Sequence, residues 1–168
     1  LMEKKYTGLK RDTGDKYYTN KHITRYCLEK VKKHIKINNN DLCIEPSAGN
    51  GAFIKEIKKV FNNYKFYDLE PEHKEVIQQN YFSFDINTVT NKNTANTYNK
   101  IHIVGNPPFG RQSSLAIKFI KKSAAFCDTI SFILPKSFKK DSLKKHFPLN
   151  FHLIYEHELP KDSFKINN

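Results

Sequence analysis

Four consecutive residues, Asn106-Pro107-Pro108-Phe109, follow the apolar run Ile101-His102-Ile103-Val104-Gly105 and form the pattern in this chain best suited to chemistry. An exocyclic amine conjugated to a heteroaromatic ring is a poor nucleophile. It improves when two acceptors take its hydrogens and draw the nitrogen toward tetrahedral geometry. The Asn106 side-chain carbonyl is one such acceptor and the Pro107 main-chain carbonyl the other. Pro107 and Pro108 have a fixed φ and no N–H to compete. Phe109 adds a flat apolar face on which a planar base swung out of its helix could stack. A proline-stiffened loop around a buried Phe would read the same way, so the other segments have to decide.

Upstream, Leu42-Cys43-Ile44 reads as a short buried strand running into Glu45-Pro46-Ser47-Ala48-Gly49-Asn50-Gly51, before an amphipathic helix carrying Phe53, Ile54, Ile57, Val60 and Phe61. Gly49 and Gly51 let main chain approach a ligand where the helix begins. A third glycine and a Gly-Lys-Ser/Thr are both lacking, and Glu45 would repel a phosphate, so the loop suits a cationic or zwitterionic nucleoside and argues against a dinucleotide oxidoreductase. Phe66-Tyr67-Asp68-Leu69-Glu70 is a second apolar approach ending in acid, where Asp68 can accept from both ribose hydroxyls. Tyr81-Phe82-Ser83-Phe84 reads as a third, ending in Asp85, which can accept from an adenine amino group while Ile86 borders the ring.

From about Tyr17 to Pro135 the chain resembles the S-adenosylmethionine-dependent amino-methyltransferases, most closely adenine-N6 DNA methyltransferases. The resemblance implies that Asn106, Pro107, Pro108 and Phe109 are catalytic. It also implies a cofactor site of Glu45, Pro46, Ala48, Gly49, Gly51, Asp68, Leu69, Asp85, Ile86 and Asn106. Lys16-Tyr17-Tyr18-Thr19-Asn20-Lys21-His22-Ile23 looks like the family's leading motif, in which Tyr18 and Thr19 help hold the methionine end of the cofactor. Asn20 stands where a proline is usual and suits a helix N-cap. Implied with these are S-adenosyl-L-methionine as cofactor, nucleic acid as partner (DNA or RNA), and methylation of adenine N6. Guanine-amine RNA methylation, protein-glutamine methylation and an inactive cofactor-binding scaffold are the alternatives. The family closes its sheet with a seventh, antiparallel strand, which is expected to be lacking or divergent here. No target-recognition domain is visible, so a partner subunit is expected to help choose the target.

The 168 residues suit a single catalytic domain spanning 1–168. No apolar run of about 18 residues occurs, and the start Leu1-Met2-Glu3-Lys4-Lys5 lacks the apolar stretch of a secretion signal, so no membrane partner is expected. Cys27, Cys43 and Cys127 are odd in number and far apart. No disulfide framework or structural zinc is therefore expected, and an intracellular setting, cytoplasmic or nuclear, follows. The seven histidines lack His-x-x-x-His spacing, so no metal is expected. A cysteine nucleophile is disfavoured because Cys43 lies inside a strand and no Pro-Cys pair exists.

The net charge of +12 is uneven: residues 1–40 and 110–150 carry +7 each, and 41–109 carry −1. Such flanks steer a phosphate backbone toward a central cleft, with Arg111 nearest the tetrapeptide.

Periodicity predicts a helix near 21–36 with the stripe Ile23, Cys27, Val31 and Ile35. It further predicts strands near 42–45, 64–68, 81–84, 101–105, 129–134 and 151–155. Helices are expected near 52–61, 72–80, 114–125 and 140–147, and a polar loop over 87–100. This alternation implies an α/β, doubly wound, mostly parallel sheet of Rossmann-like methyltransferase type. Ligands bind beyond the C-terminal strand ends of such sheets, so Glu45, Asp68, Asp85 and Asn106 should share one edge.

Overall fold

Alternate burial along β2 (Leu42–Glu45) divides the core into two layers. Successive strand side chains point to opposite faces. Leu42 and Ile44 pack with Tyr67, Ile103, Tyr81, Phe84 and Phe119 on one face. Cys43 packs with Phe66, Val104, Leu28, Ile54 and Ile57 on the other. The structure is a computed structural model and describes residues 16–90 and 97–167. The start Leu1–Lys5 and the middle of the expected 87–100 loop lie outside the described residues.

The elements in chain order are β1 (Lys16–Thr19), α1 (Lys21–His34), β2, α2 (Ile54–Val60), β3 (Asn63–Asp68), β4 (Ile77–Gln78) and α3 (Asn87–Thr90). They continue with β5 (Ile101–Gly105), α4 (Ser114–Ala124), β6 (Thr129–Phe132), α5 (Asp141–Lys144) and β7 (Phe164–Asn167). Five strands form one all-parallel sheet in the order β4-β3-β2-β5-β6. Helices α1 and α2 cover one face and α4 the other. This is the doubly wound, Rossmann-like α/β fold. The chain winds outward from β2 through β3 to β4, then returns to β5 on the far side of β2, so the topological switch point falls between β2 and β5.

Four expectations differ. The expected polar loop over 87–100 begins instead as the one-turn helix α3, started by the Asp85 carboxylate accepting from the Asn87 N–H. Residues 72–80 are not a helix: the Val76 N–H donates to the His73 carbonyl, the Glu75 N–H to His73 Nδ1, and the Glu72 N–H to the Gly49 carbonyl. These bonds spend the donors a helix would need, and the chain instead adds the two-residue edge strand β4. Residues 81–84 are not a strand but a 3₁₀ turn over Tyr81–Ser83, started by the Asn80 side chain accepting from the Phe82 N–H at 3.0 Å. Tyr81 and Phe84, three apart, fall on one face and stack around Phe119 and Tyr67. Residues 151–155 form no strand; Tyr155 stacks on His34 of α1 with ring centroids 4.6 Å apart, while Leu153 and Ile154 stay exposed.

β7 runs antiparallel to β1 in a separate two-stranded sheet, with Thr19 opposite Phe164. Asn20 occupies the N-cap position of α1, but its side chain makes no capping bond. Among the described residues no helix is long and apolar enough to cross a membrane.

Candidate active site

The C-terminal ends of β2 and β5 lie side by side at the switch point, which places Glu45 next to Gly105 and Asn106. A Cβ on Gly105 would stand 3.1 Å from Glu45 Cγ, tighter than an ordinary contact, so a larger residue there would press on the Glu45 side chain. Glu45 is 2 % exposed and its Oε2 has no hydrogen-bond partner. Burial, reinforced by the charge of nearby Asp68, pushes its carboxyl up to about 8. A carboxylate left in this state is costly unless a donor or cation arrives to meet it.

The loop after β2 bends tightly. Pro46 and Ala48 are buried, and the Ala48 N–H donates to the Tyr67 carbonyl at 2.8 Å. Gly49 and Gly51 have φ of 54° and 81°, and a Cβ on Gly51 would come within 2.9 Å of the His73 ring. The Gly49 N–H donates to Asp68 Oδ2 at 2.9 Å, while the Glu70 N–H donates to Oδ1 at 2.8 Å. These bonds orient the Asp68 carboxylate against the glycine turn. Half-buried Leu69 follows it.

The tetrapeptide is held by its ends. The Asn106 carbonyl accepts from Ser47 Oγ at 3.3 Å, and the Phe109 carbonyl accepts from the Leu115 and Ala116 N–H groups at the start of α4. Asn106 Nδ2 donates to Thr19 Oγ1 at 3.3 Å. Among the described residues, no hydrogen bond ends on Asn106 Oδ1 or on the Pro107 carbonyl. Pro107 is buried, Pro108 half-buried, and Phe109 is 38 % exposed. Just beyond, Gln112 and Ser113 hold φ of 53° and 62°, a conformation that costs non-glycine residues of order 1 kcal/mol each.

The structure thus brings Thr19, Glu45, Asp68 and Asn106 to one edge of the sheet. Tyr18 joins them indirectly, donating from its hydroxyl to Glu72 Oε2 at 2.8 Å. Asp85 differs from expectation because no strand precedes it. It is exposed past the 3₁₀ turn, and its Oδ1 accepts from the Asn87 N–H at the start of α3. Ile86 packs against the Tyr81–Phe84 cluster. Sequence reasoning missed the reach of Ser47 onto Asn106, although Ser47 sits within the loop it singled out. It also missed the contact of Glu72 with Tyr18, 54 residues away, for which no local signal exists.

Glu45 Oε2 is an orphaned buried acceptor beside the switch point, suited to a cationic group. Among the described residues no group of three or more His, Cys, Asp or Glu side chains is gathered as a metal site. No protein-family model matches the chain, and no characterised protein matches it in sequence.

Proposed function

We propose that this chain is an S-adenosylmethionine-dependent methyltransferase acting on the exocyclic N6 amine of adenine in nucleic acid, DNA ahead of RNA. The observation that carries the reading is the state of the tetrapeptide: Thr19 holds the Asn106 amide nitrogen, while the Asn106 amide oxygen and the Pro107 carbonyl have no protein donor among the described residues. Two adjacent acceptors on a fixed turn suit an amine with two hydrogens. Of the other carbonyls of the turn, those of Asn106 and Phe109 are engaged and hold it, while that of Pro108, like that of Pro107, has no donor among the described residues.

When bound, S-adenosylmethionine supplies an electrophilic methyl group on a sulfonium sulfur. Glu45 would meet its ammonium, Asp68 its ribose hydroxyls, and Asp85 and Ile86 its adenine, with Tyr18 and Thr19 near the methionine end. Asn106 and Pro107 would accept from the substrate amine, sharpen its lone pair and stabilise the developing ammonium, so that catalysis rests on orientation and electrostatics. Phe109 would stack on the base. The nitrogen then loses its proton to solvent.

A protein-glutamine acceptor is the second reading. It is favoured by Lys136 and Lys139 being paired with Glu158 and Lys144 with Glu156, which reduces the positive charge of one flank. The test supplies methyl-labelled cofactor together with single-stranded DNA, RNA and a glutamine-containing peptide, followed by mass spectrometry of each. Label on adenine N6 supports the proposal. Label on a guanine amine or on the peptide redirects it, and label nowhere, with candidate partner subunits added, leaves an inactive scaffold.

A further inference from the structure

We infer that Asn20 is a positioning residue of this site: it ties the segment ahead of β7 to the end of β1 and so fixes Thr19 against Asn106. The inference rests on the methyltransferase reading. Asn20 sits at the N-cap of α1, where a side-chain oxygen ordinarily accepts from the second or third helical N–H. Here it does not. The Asn20 N–H donates to the Ser163 carbonyl at 3.0 Å, and Nδ2 donates to the neighbouring Asp162 carbonyl, in a segment 142 residues away. Asn20 is 9 % exposed, and its Oδ1 is buried without a partner.

The helix therefore forgoes its cap, and a buried acceptor goes unmatched, while both donors of Asn20 serve a long-range tether. An unmatched buried polar atom is rare enough to need a reason. The next residue toward the site supplies one. Thr19 is buried, pairs with Phe164 in the β1–β7 ladder, and carries the hydroxyl that receives Asn106 Nδ2. Ser163, fully buried, is itself held by bonds from its N–H and its hydroxyl to the Pro160 carbonyl. A continuous path runs from Pro160 through Ser163 and Asn20 to Thr19 and the amide of Asn106. With Nδ2 of Asn106 held by Thr19, the amide plane is set and Oδ1 is left to accept from another donor.

Asn20→Asp separates this role from capping. Aspartate caps a helix as well as asparagine, but it lacks the Nδ2 donor and opposes the Asp162 carbonyl with an acceptor. Asn20→Ala is the milder companion, losing the Nδ2 donor together with the unmatched Oδ1 and introducing no opposing acceptor. Each variant of the full chain is compared with wild type by calorimetry with S-adenosylhomocysteine and by amide hydrogen exchange. Because the tether also sets Thr19, which in the proposed reading lies near the methionine end of the cofactor, we expect both to bind S-adenosylhomocysteine about tenfold more weakly, with faster exchange over 16–19 and unchanged protection over Ile23–Val31 in Asn20→Asp. Affinity within twofold of wild type, or unchanged exchange over 16–19, overturns the inference. A wild type that fails to bind S-adenosylhomocysteine overturns the methyltransferase reading instead, and the exchange comparison still decides whether the tether exists.

Discussion

Glu45 places the strongest electrostatic demand on whatever occupies this site. Its carboxyl titrates at about 8 in the fold against about 4.3 in an unfolded chain, so between those values the native state holds the extra proton. Its contribution to stability accordingly falls as pH rises through that window. A ligand presenting a positive charge to Glu45 must displace that proton. Calorimetry should therefore show affinity for S-adenosylhomocysteine rising from pH 6 to 8, by no more than about tenfold per unit, and Glu45→Gln should flatten the rise. A slope that survives in Glu45→Gln would move the cationic group elsewhere. The Asn106 turn and the glycine loop were legible in the sequence because their chemistry is local: adjacent prolines remove donors, and paired glycines permit a tight bend. Thr19 reached the site only through a family resemblance, and Asn20 was read for its local role as a cap, because its partners lie 142 residues away.

Among the elements, β2, β3, β5 and the edge strand β6 were legible, and the two-residue edge strand β4 was not. β2 and β5 read as short apolar runs because both of their faces are buried, and β3 through its aromatic approach to Asp68. The aromatic run Tyr81–Phe84 reads equally as alternation or as an i, i+3 pair; Asn80 capping and the Tyr81 hydroxyl bond to Ser123 at 2.7 Å decide for the turn. At the opposite edge of the sheet from the site, Asp41 locks the entries to β2 and β5. It accepts from the Asn38 and Lys100 N–H groups and pairs with buried His102 at 2.8 Å, while His102 Nδ1 meets Thr129 at 2.7 Å. Burial alone would raise the Asp41 carboxyl, but the bonds from Asn38, His102 and Lys100 outweigh it and hold it below the usual range. Its stabilisation is present above the unfolded pKa and is lost as pH falls through the folded one. Asp41→Ala should cost about 3 kcal/mol, read as a lower urea midpoint with unchanged slope. A loss under about 0.5 kcal/mol would mean that the cluster is slack.

For the molecule as a whole, composition gave the charge asymmetry but not its pairing. Lys136, Lys139 and Lys144 are partly neutralised by Glu158 and Glu156, and the two lysines hold the Glu158 carboxyl down at about 2. Arg111 is exposed just past the tetrapeptide. Binding of a single-stranded oligonucleotide, followed by anisotropy, should weaken steeply with salt. Arg111→Ala should lower the log–log slope by roughly 0.7. A flat salt response would assign the charge to solubility and strengthen the glutamine-amide reading.

The central claim is that Asn106 grips the substrate amine rather than the cofactor. Single-turnover methyl transfer to adenine N6 in an oligonucleotide, set beside S-adenosylhomocysteine affinity in the same Asn106→Ala protein, tests it most directly. Transfer should fall by at least about a hundredfold, some 2.7 kcal/mol in the barrier, with affinity within a few-fold of wild type. Transfer at the wild-type rate, or a loss of cofactor affinity as large as the loss of transfer, would contradict it.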